Sequence, residues 1–233
     1  MIRSYKIAGK IIEINSLYPD IHDYCRDYVF DGIPDFHVST SQDDISCEQS
    51  ELENFPESYL EELAVYRKIA EKMPEYNTFL FHGSALAVDE NAFMFTAPSG
   101  TGKSTHSALW REFLGERVVM VNDDKPLINI TGTQAVVYGT PFNGKHRLGN
   151  NIAVPLKSIC LLERSEENYI DEISVAEAYT RLLAQTYRPS NPANLAKTLE
   201  LLDTMIKHVK LYRLRCNMSI EAAKLCYERI AQK

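Results

Sequence analysis

The segment Ala97-Pro98-Ser99-Gly100-Thr101-Gly102-Lys103-Ser104-Thr105 carries the clearest chemistry in the sequence. Gly100 and Gly102 let the backbone curl so that its N–H groups point inward, the arrangement that binds phosphate oxygens. The spacing fits the phosphate-binding loop of nucleoside-triphosphate enzymes except at its first position, where Ala97 stands in place of glycine. Ser99, Gly100, Thr101, Gly102, Lys103, Ser104 and Thr105 are the expected nucleotide contacts. Lys103 would reach the β- and γ-phosphates, and Ser104 would ligate magnesium. A helix opening at Lys103 would add its positive N-terminal end. The expected ligands are therefore ATP and Mg2+.

Two further clusters could act on a bound triphosphate. Val118-Val119-Met120-Val121-Asn122-Asp123-Asp124 is an apolar strand that ends in two carboxylates. One carboxylate can hold the metal and the other can accept a proton from an attacking hydroxyl. The second cluster is the loop Gly139–Gly149, which packs Lys145, His146 and Arg147 between glycines in an otherwise acidic chain. A cationic loop beside a phosphate site would neutralise charge that develops during transfer. Arg147 has the better geometry, because its planar fork matches phosphate oxygens, with Lys145 as a second contact. Arg213 and Arg215 alternate on one strand and are read as surface residues. Trp110 is read as core, and His106 carries no assigned role.

The surrounding pattern supplies elements able to hold these groups. Tyr5–Ile7 and Ile11–Ile14 read as a hairpin, residues 17–30 as a mixed stretch with helical character, and Phe36–Ser39 as a strand. Ser41–Asn54 is polar and acidic and reads as an exposed loop. Tyr59, Leu60, Leu63, Tyr66, Ile69 and Ala70 recur at helical spacing after Pro56. Thr78–Val88 reads as one strand, Asp89-Glu90-Asn91 as a turn, and Ala92–Thr96 as a strand running into the glycine-rich loop. A helix over Lys103–Phe113 and a buried strand over Val118–Val121 follow. Leu127–Ile130 and Ala135–Tyr138 form a hairpin, and Pro155–Glu163 and Tyr169–Ser174 two more strands. Helices near 175–183 and 195–209, a strand over Val209–Leu214 and a helix over Ile220–Ala231 complete the chain. The fold expected is α/β, with a mixed central sheet and the phosphate-binding loop between a strand and its helix. A boundary near residue 77 separates an N-terminal α+β segment, 1–77, from a P-loop domain, 78–233.

Composition narrows the partners. The chain has 233 residues, of which 45% are hydrophobic, enough for a substantial core. Its formal net charge of −7 argues against a broad nucleic-acid surface. No apolar run approaches the length that spans a bilayer, and no secretory h-region opens the sequence, so a cytoplasmic location is expected. The five cysteines are odd in number and lack CxxC spacing, as expected of reduced thiols. A homo-oligomer stays open.

The run from His82-Gly83-Ser84 through Ala97–Thr105 to Asn122-Asp123-Asp124 resembles the catalytic domain of HPr kinase/phosphorylase, and more broadly the phosphoenolpyruvate-carboxykinase-like P-loop fold. The resemblance covers residues 78–164. It implies that Lys103 binds phosphate, Ser104 and Asp124 support magnesium, Asp123 is the catalytic acid/base, and His82 lies close to the reacting phosphate. Residues 1–77 do not resemble the family's N-terminal domain. Gly139–Gly149 stands where the family's HPr-recognition segment would lie, as in HPr-kinase-related proteins of uncertain substrate. The reaction implied is magnesium-dependent transfer of the γ-phosphoryl group from ATP to a hydroxyl in a protein, a peptide or a metabolite. The alternative is a nucleotide-gated binding module, in which ATP orders a loop that a partner reads and no phosphoryl group moves.

Overall fold

Alternation along the central strands determines the layering. In Ser84–Val88 (β5) and Asn91–Thr96 (β6), Ala85, Ala87, Ala92 and Met94 join one buried cluster, whereas Leu86, Val88, Phe93 and Phe95 join another. Successive side chains of a strand point to opposite faces, so these strands are covered on both sides and read as continuous apolar runs. The computed structural model describes residues 1–50, 53–144 and 146–231.

The chain opens with Ile2–Ile7 (β1) and Lys10–Asn15 (β2), paired antiparallel, and Phe36–Ser39 (β3) runs parallel to β2. Between them lies the short helix Asp20–Tyr24 (α1), narrower than the helical character expected over 17–30. The acidic stretch expected to be a loop contains a helix, Gln42–Cys47 (α2). Ser41 and Asp44 form a reciprocal capping box at its start, which satisfies backbone N–H groups that polar composition alone would leave to water. Glu57–Lys72 (α3) then packs on this small sheet, burying Val65, Tyr66, Ile69 and Ala70 with Tyr5, Ile7, Ile12 and Ile14. The same cluster takes in Leu80, Leu127 and Phe142 from beyond residue 77.

The single strand expected over 78–88 is two strands. Thr78–Leu80 (β4) pairs with Leu127–Thr131 (β8), whereas β5 pairs with β6 and with Val118–Asn122 (β7). The break falls at Phe81–Gly83, where the His82 N–H donates to the Gln185 carbonyl and the Gly83 N–H to the Asp124 carbonyl. Gln134–Tyr138 (β9) completes the hairpin with β8. Ala153–Arg164 (β10) links the two parts of the sheet: its first residues pair antiparallel with β9, and the remainder runs parallel to β6. Lys210–Cys216 (β12) lies parallel to β10 on the other side, and Tyr169–Glu172 (β11) pairs antiparallel with β12. The sheet is therefore mixed, as expected.

Helices cover both faces. Lys103–Leu114 (α4) and Ile220–Ile230 (α7) enclose Trp110, Phe93, Phe95, Cys226 and Tyr227 on one. Val175–Ala184 (α5) and Pro192–His208 (α6) bring Ala178, Leu182, Leu202 and Met205 to the other. Ser174 is not the end of β11 but the N-cap of α5, again in a capping box, with Glu177. Arg213 and Arg215 pair with Asp171 and Glu163. All five cysteines are free. Among the described residues, no helix is long and apolar enough to cross a membrane.

Candidate active site

Topology brings the chemistry to one edge of the sheet. β6 and β7 are both antiparallel to β5, which lies between them, so their C-terminal ends share an edge with the start of β5. The loop at 97–102 follows β6, Asp123 and Asp124 follow β7, and His82 precedes β5. β10, parallel to β6, ends at the same edge, where the Arg164 guanidinium donates to the carbonyls of Gly100 and Thr101.

The loop has the geometry its glycines allow. Gly100 and Gly102 adopt φ of +76° and +123°, which L side chains rarely reach. A Cβ added at either would meet no atom within 4 Å, so backbone conformation, not crowding, selects glycine there. Ala97 needs no glycine: its φ is negative, its side chain joins the core, and its carbonyl accepts a 2.8 Å hydrogen bond from Lys103 Nζ. Lys103, the first residue of α4, is buried, and burial lowers its ammonium pKa while the Asp124 charge opposes that shift. Ser84 and Ser107 share a 2.8 Å hydrogen bond that seats α4 on β5.

Asn122 shapes the turn that presents the two aspartates. Its side-chain oxygen accepts the N–H groups of Asp124 (2.9 Å) and Lys125 (2.6 Å), and its amide donates to Thr140 Oγ1 at 3.0 Å. The turn and the 139–149 loop are thereby tied together. The two carboxylates have different surroundings. Asp123 is 7% exposed, and its Oδ1 accepts the Gly144 N–H at 2.6 Å. Asp124 lies 3.1 Å from His82 Nε2. Burial pushes the Asp124 carboxyl up, but the His82 hydrogen bond and the charges of Lys125, His82 and Lys103 outweigh it and hold the group below the usual carboxylate range. His82 is held by its own backbone as well, its carbonyl accepting from Thr96 Oγ1 at 2.8 Å.

These groups line one cleft of about 730 Å3, into which His82, Ser99, Gly100, Gly102, Lys103, Ser104, Thr105, Asp123, Asp124 and Arg147 all open. Thr101 alone of the described candidates does not. It faces a second cavity of about 860 Å3, bounded by β10 and α5, that shares Ser99 and Gly100 with the first. Lys145 lies outside the described residues. Arg147 stands on the far wall, its guanidinium 4.2 Å from the centre of the Tyr24 ring, with a backbone φ of +48°.

That far wall was not singled out in the sequence. It is formed by Tyr24 of α1, by Tyr59, Glu62, Leu63 and Tyr66 of α3, and by Phe142 and His146 of the loop. Tyr66 and Phe142 stack at 4.0 Å between ring centres, and the Tyr66 hydroxyl donates to the Lys125 carbonyl. Glu62 is 9% exposed; burial raises its carboxyl to about 7, with Arg147 lowering and Asp20 raising it by smaller amounts. The available signal was a charged residue set among Tyr59, Leu63 and Tyr66 on an otherwise apolar helical stripe.

The donor set also bears on a metal. Among the described residues, no group of three or more His, Cys, Asp or Glu could hold an ion. Magnesium typically takes one or two protein carboxylates and completes its shell with water and substrate phosphates. Ser104 and Asp124 beside the loop fit that sparse requirement.

No known family model matches the chain, and no curated protein matches it. Among solved structures, the chain is similar to the Hpr(Ser) kinase/phosphatase from Coxiella burnetii at 10% sequence identity, covering 63% of this chain and 90% of that one, with a TM-score of 0.37. A likeness at that score is distant and carries no argument about activity or site.

Proposed function

We propose that the chain binds a magnesium nucleoside triphosphate at Ala97–Thr105 and transfers its γ-phosphoryl group to a hydroxyl. One observation carries this reading: a positive-φ glycine loop and two strand-end carboxylates of different character open into one cleft. A binding module needs the loop but not the second carboxylate.

The residues divide the work by their surroundings. Loop N–H groups and the N-terminus of α4 receive phosphate oxygens. Lys103 exchanges the Ala97 carbonyl for a phosphate, which restores a full charge partner to a partly desolvated ammonium. Asp124, kept ionised by His82 and its lysine neighbours, and Ser104 would hold magnesium, which neutralises the charge of the transferring group. Asp123 has one oxygen fixed by Gly144 and the other open to the cleft, and so is placed to take the hydroxyl proton. Arg147 belongs to the wall that meets the acceptor.

The test follows γ-labelled ATP in the wild-type chain and in Asp123→Asn. Replacing a general base is expected to slow transfer by roughly 10²- to 10⁴-fold while nucleotide binding persists. Transfer at the wild-type rate in Asp123→Asn would remove its assigned role. Nucleotide binding without transfer to any hydroxyl would favour the gated module.

A further inference from the structure

We propose that the wall facing the phosphate-binding loop is an acceptor subsite for a small amino alcohol, a hydroxyl compound carrying an ammonium group that Glu62 receives. The proposal rests on the transfer reading above and names its acceptor.

Two neighbouring glutamates on α3, Glu61 and Glu62, are both buried but differ in their partners. Glu61 is fully buried, and both its oxygens are occupied, by the N–H groups of Leu17 and Tyr18 and by the Thr40 hydroxyl. It is a structural tether between α3 and the segments after β2 and β3. Glu62 is nine-tenths buried and lines the cleft, yet among the described residues its carboxylate makes no hydrogen bond and no ion pair within 4 Å. Its oxygens open into the cleft, where the surrounding protein shields them in part from water, and a partly desolvated carboxylate gains from a donor. The missing partner is a donor that enters through the cleft. An ammonium offers three donors and no acceptor, which matches the acceptor oxygens of a carboxylate.

The neighbouring surface agrees. Tyr24, Phe142 and Tyr66 form a stack, with ring centres 6.5 Å and 4.0 Å apart. Aromatic rings beside a carboxylate favour a cation electrostatically and shelter the carbon chain that bears it. Arg147 lies over the Tyr24 ring and acts on Glu62 only through space, without an ion pair within 4 Å. Phe142 lies two residues before Gly144, whose N–H holds Asp123, so the aromatic stack beside Glu62 and the Asp123 carboxylate are tied to one short segment. The whole cleft, about 730 Å3, lies within the range of small-ligand pockets. It must also hold the phosphate tail, which leaves room for a small acceptor.

With the ammonium on Glu62, the acceptor hydroxyl oxygen attacks the γ-phosphorus. A new P–O bond forms as the bond from that phosphorus to the β–γ bridging oxygen breaks. The leaving electron pair departs with the nucleoside diphosphate, and the hydroxyl proton passes to Asp123. The product is a phosphomonoester that keeps its ammonium.

The experiment offers γ-labelled MgATP and matched acceptors, ethanolamine against ethylene glycol and L-serine against L-glycerate, to the full chain, with nucleotide affinity measured alongside. The expected result is kcat/KM at least tenfold higher for the ammonium-bearing member of each pair. In Glu62→Gln, KM for that member should rise about 10- to 100-fold, the effect of losing one charge-assisted hydrogen bond, with a smaller change in kcat. Equal transfer to both members, transfer to none of the four with nucleotide binding intact, or an unchanged KM in Glu62→Gln would each overturn the subsite and leave the phosphate site standing. Failure of the wild-type chain to bind nucleotide would overturn both.

Discussion

At the scale of single residues, surroundings separate groups that the sequence writes alike. Asp123 and Asp124 are adjacent carboxylates, but Gly144 holds one and His82 the other, and the two can take different tasks. Glu61 and Glu62 part company in the same way. Glu62 has a consequence that does not depend on any ligand. Its carboxyl is raised from 4.5 to about 7 by burial. Between those values the folded chain binds more protons than the unfolded one, so this group's contribution to stability is largest below about pH 4.5 and is lost as pH rises through about 7. Denaturant midpoints of wild type and Glu62→Gln should therefore diverge between pH 5 and pH 7.5, with wild type losing ground as pH rises. Parallel curves would mean that Glu62 is as well solvated in the folded chain as in the unfolded one. The loop glycines, Lys103, Ser104 and the aspartates were legible in the sequence because each motif is local. Glu62 was not, since helical spacing says which residues share a face but not whether that face meets a core or a cleft.

At the scale of elements, local signals and long-range pairing fared differently. The strand, loop and helix around 92–114 follow from contiguous patterning and agree closely with the structure. The 78–88 run is uniformly apolar, and nothing in it records that β4 and β5 belong to different partners. That choice is made by β6, which turns straight back onto β5, and by β7 and β8 further along the chain. Helix α2 had a readable cap in Ser41 and Asp44, but its acidic, polar composition masked it. The 139–149 loop read as a basic segment between glycines, whereas its position depends on close approach. A Cβ at Gly139 would fall 1.8 Å from the Asn150 carbonyl and 2.6 Å from that of Val121. Gly139→Ala should accordingly lift the loop from β7 and lower stability by about 1–3 kcal/mol, read by chemical denaturation. An unchanged midpoint would show that the loop is not seated there.

At the scale of the whole molecule, the two expected segments meet at the cleft. Residues before 77 contribute Tyr24, Glu62 and Tyr66, and residues after it contribute the glycine-rich loop and both aspartates. The sequence pointed to candidate site residues in 78–233 and left the role of 1–77 open, because contact between distant segments has no local signature. A ligand spanning this cleft should stabilise both parts together. At a nucleotide concentration about a hundred times Kd, linkage adds about 2.7 kcal/mol, which for a domain of this size raises Tm by roughly 5–10 °C. The shift should appear with MgATP in a single thermal transition and fall away when a chelator removes magnesium. A shift confined to one of two transitions would separate the segments energetically.

The central claim is that Ala97–Thr105 binds the phosphates of a nucleotide, and titration calorimetry of MgATP into wild type and Lys103→Ala tests it most directly. The expected result is saturable one-site binding to the wild-type chain and a loss of affinity of at least tenfold in Lys103→Ala, the effect of removing a charge-assisted contact to phosphate. Equal affinity in the two chains, or no binding to either, would contradict it.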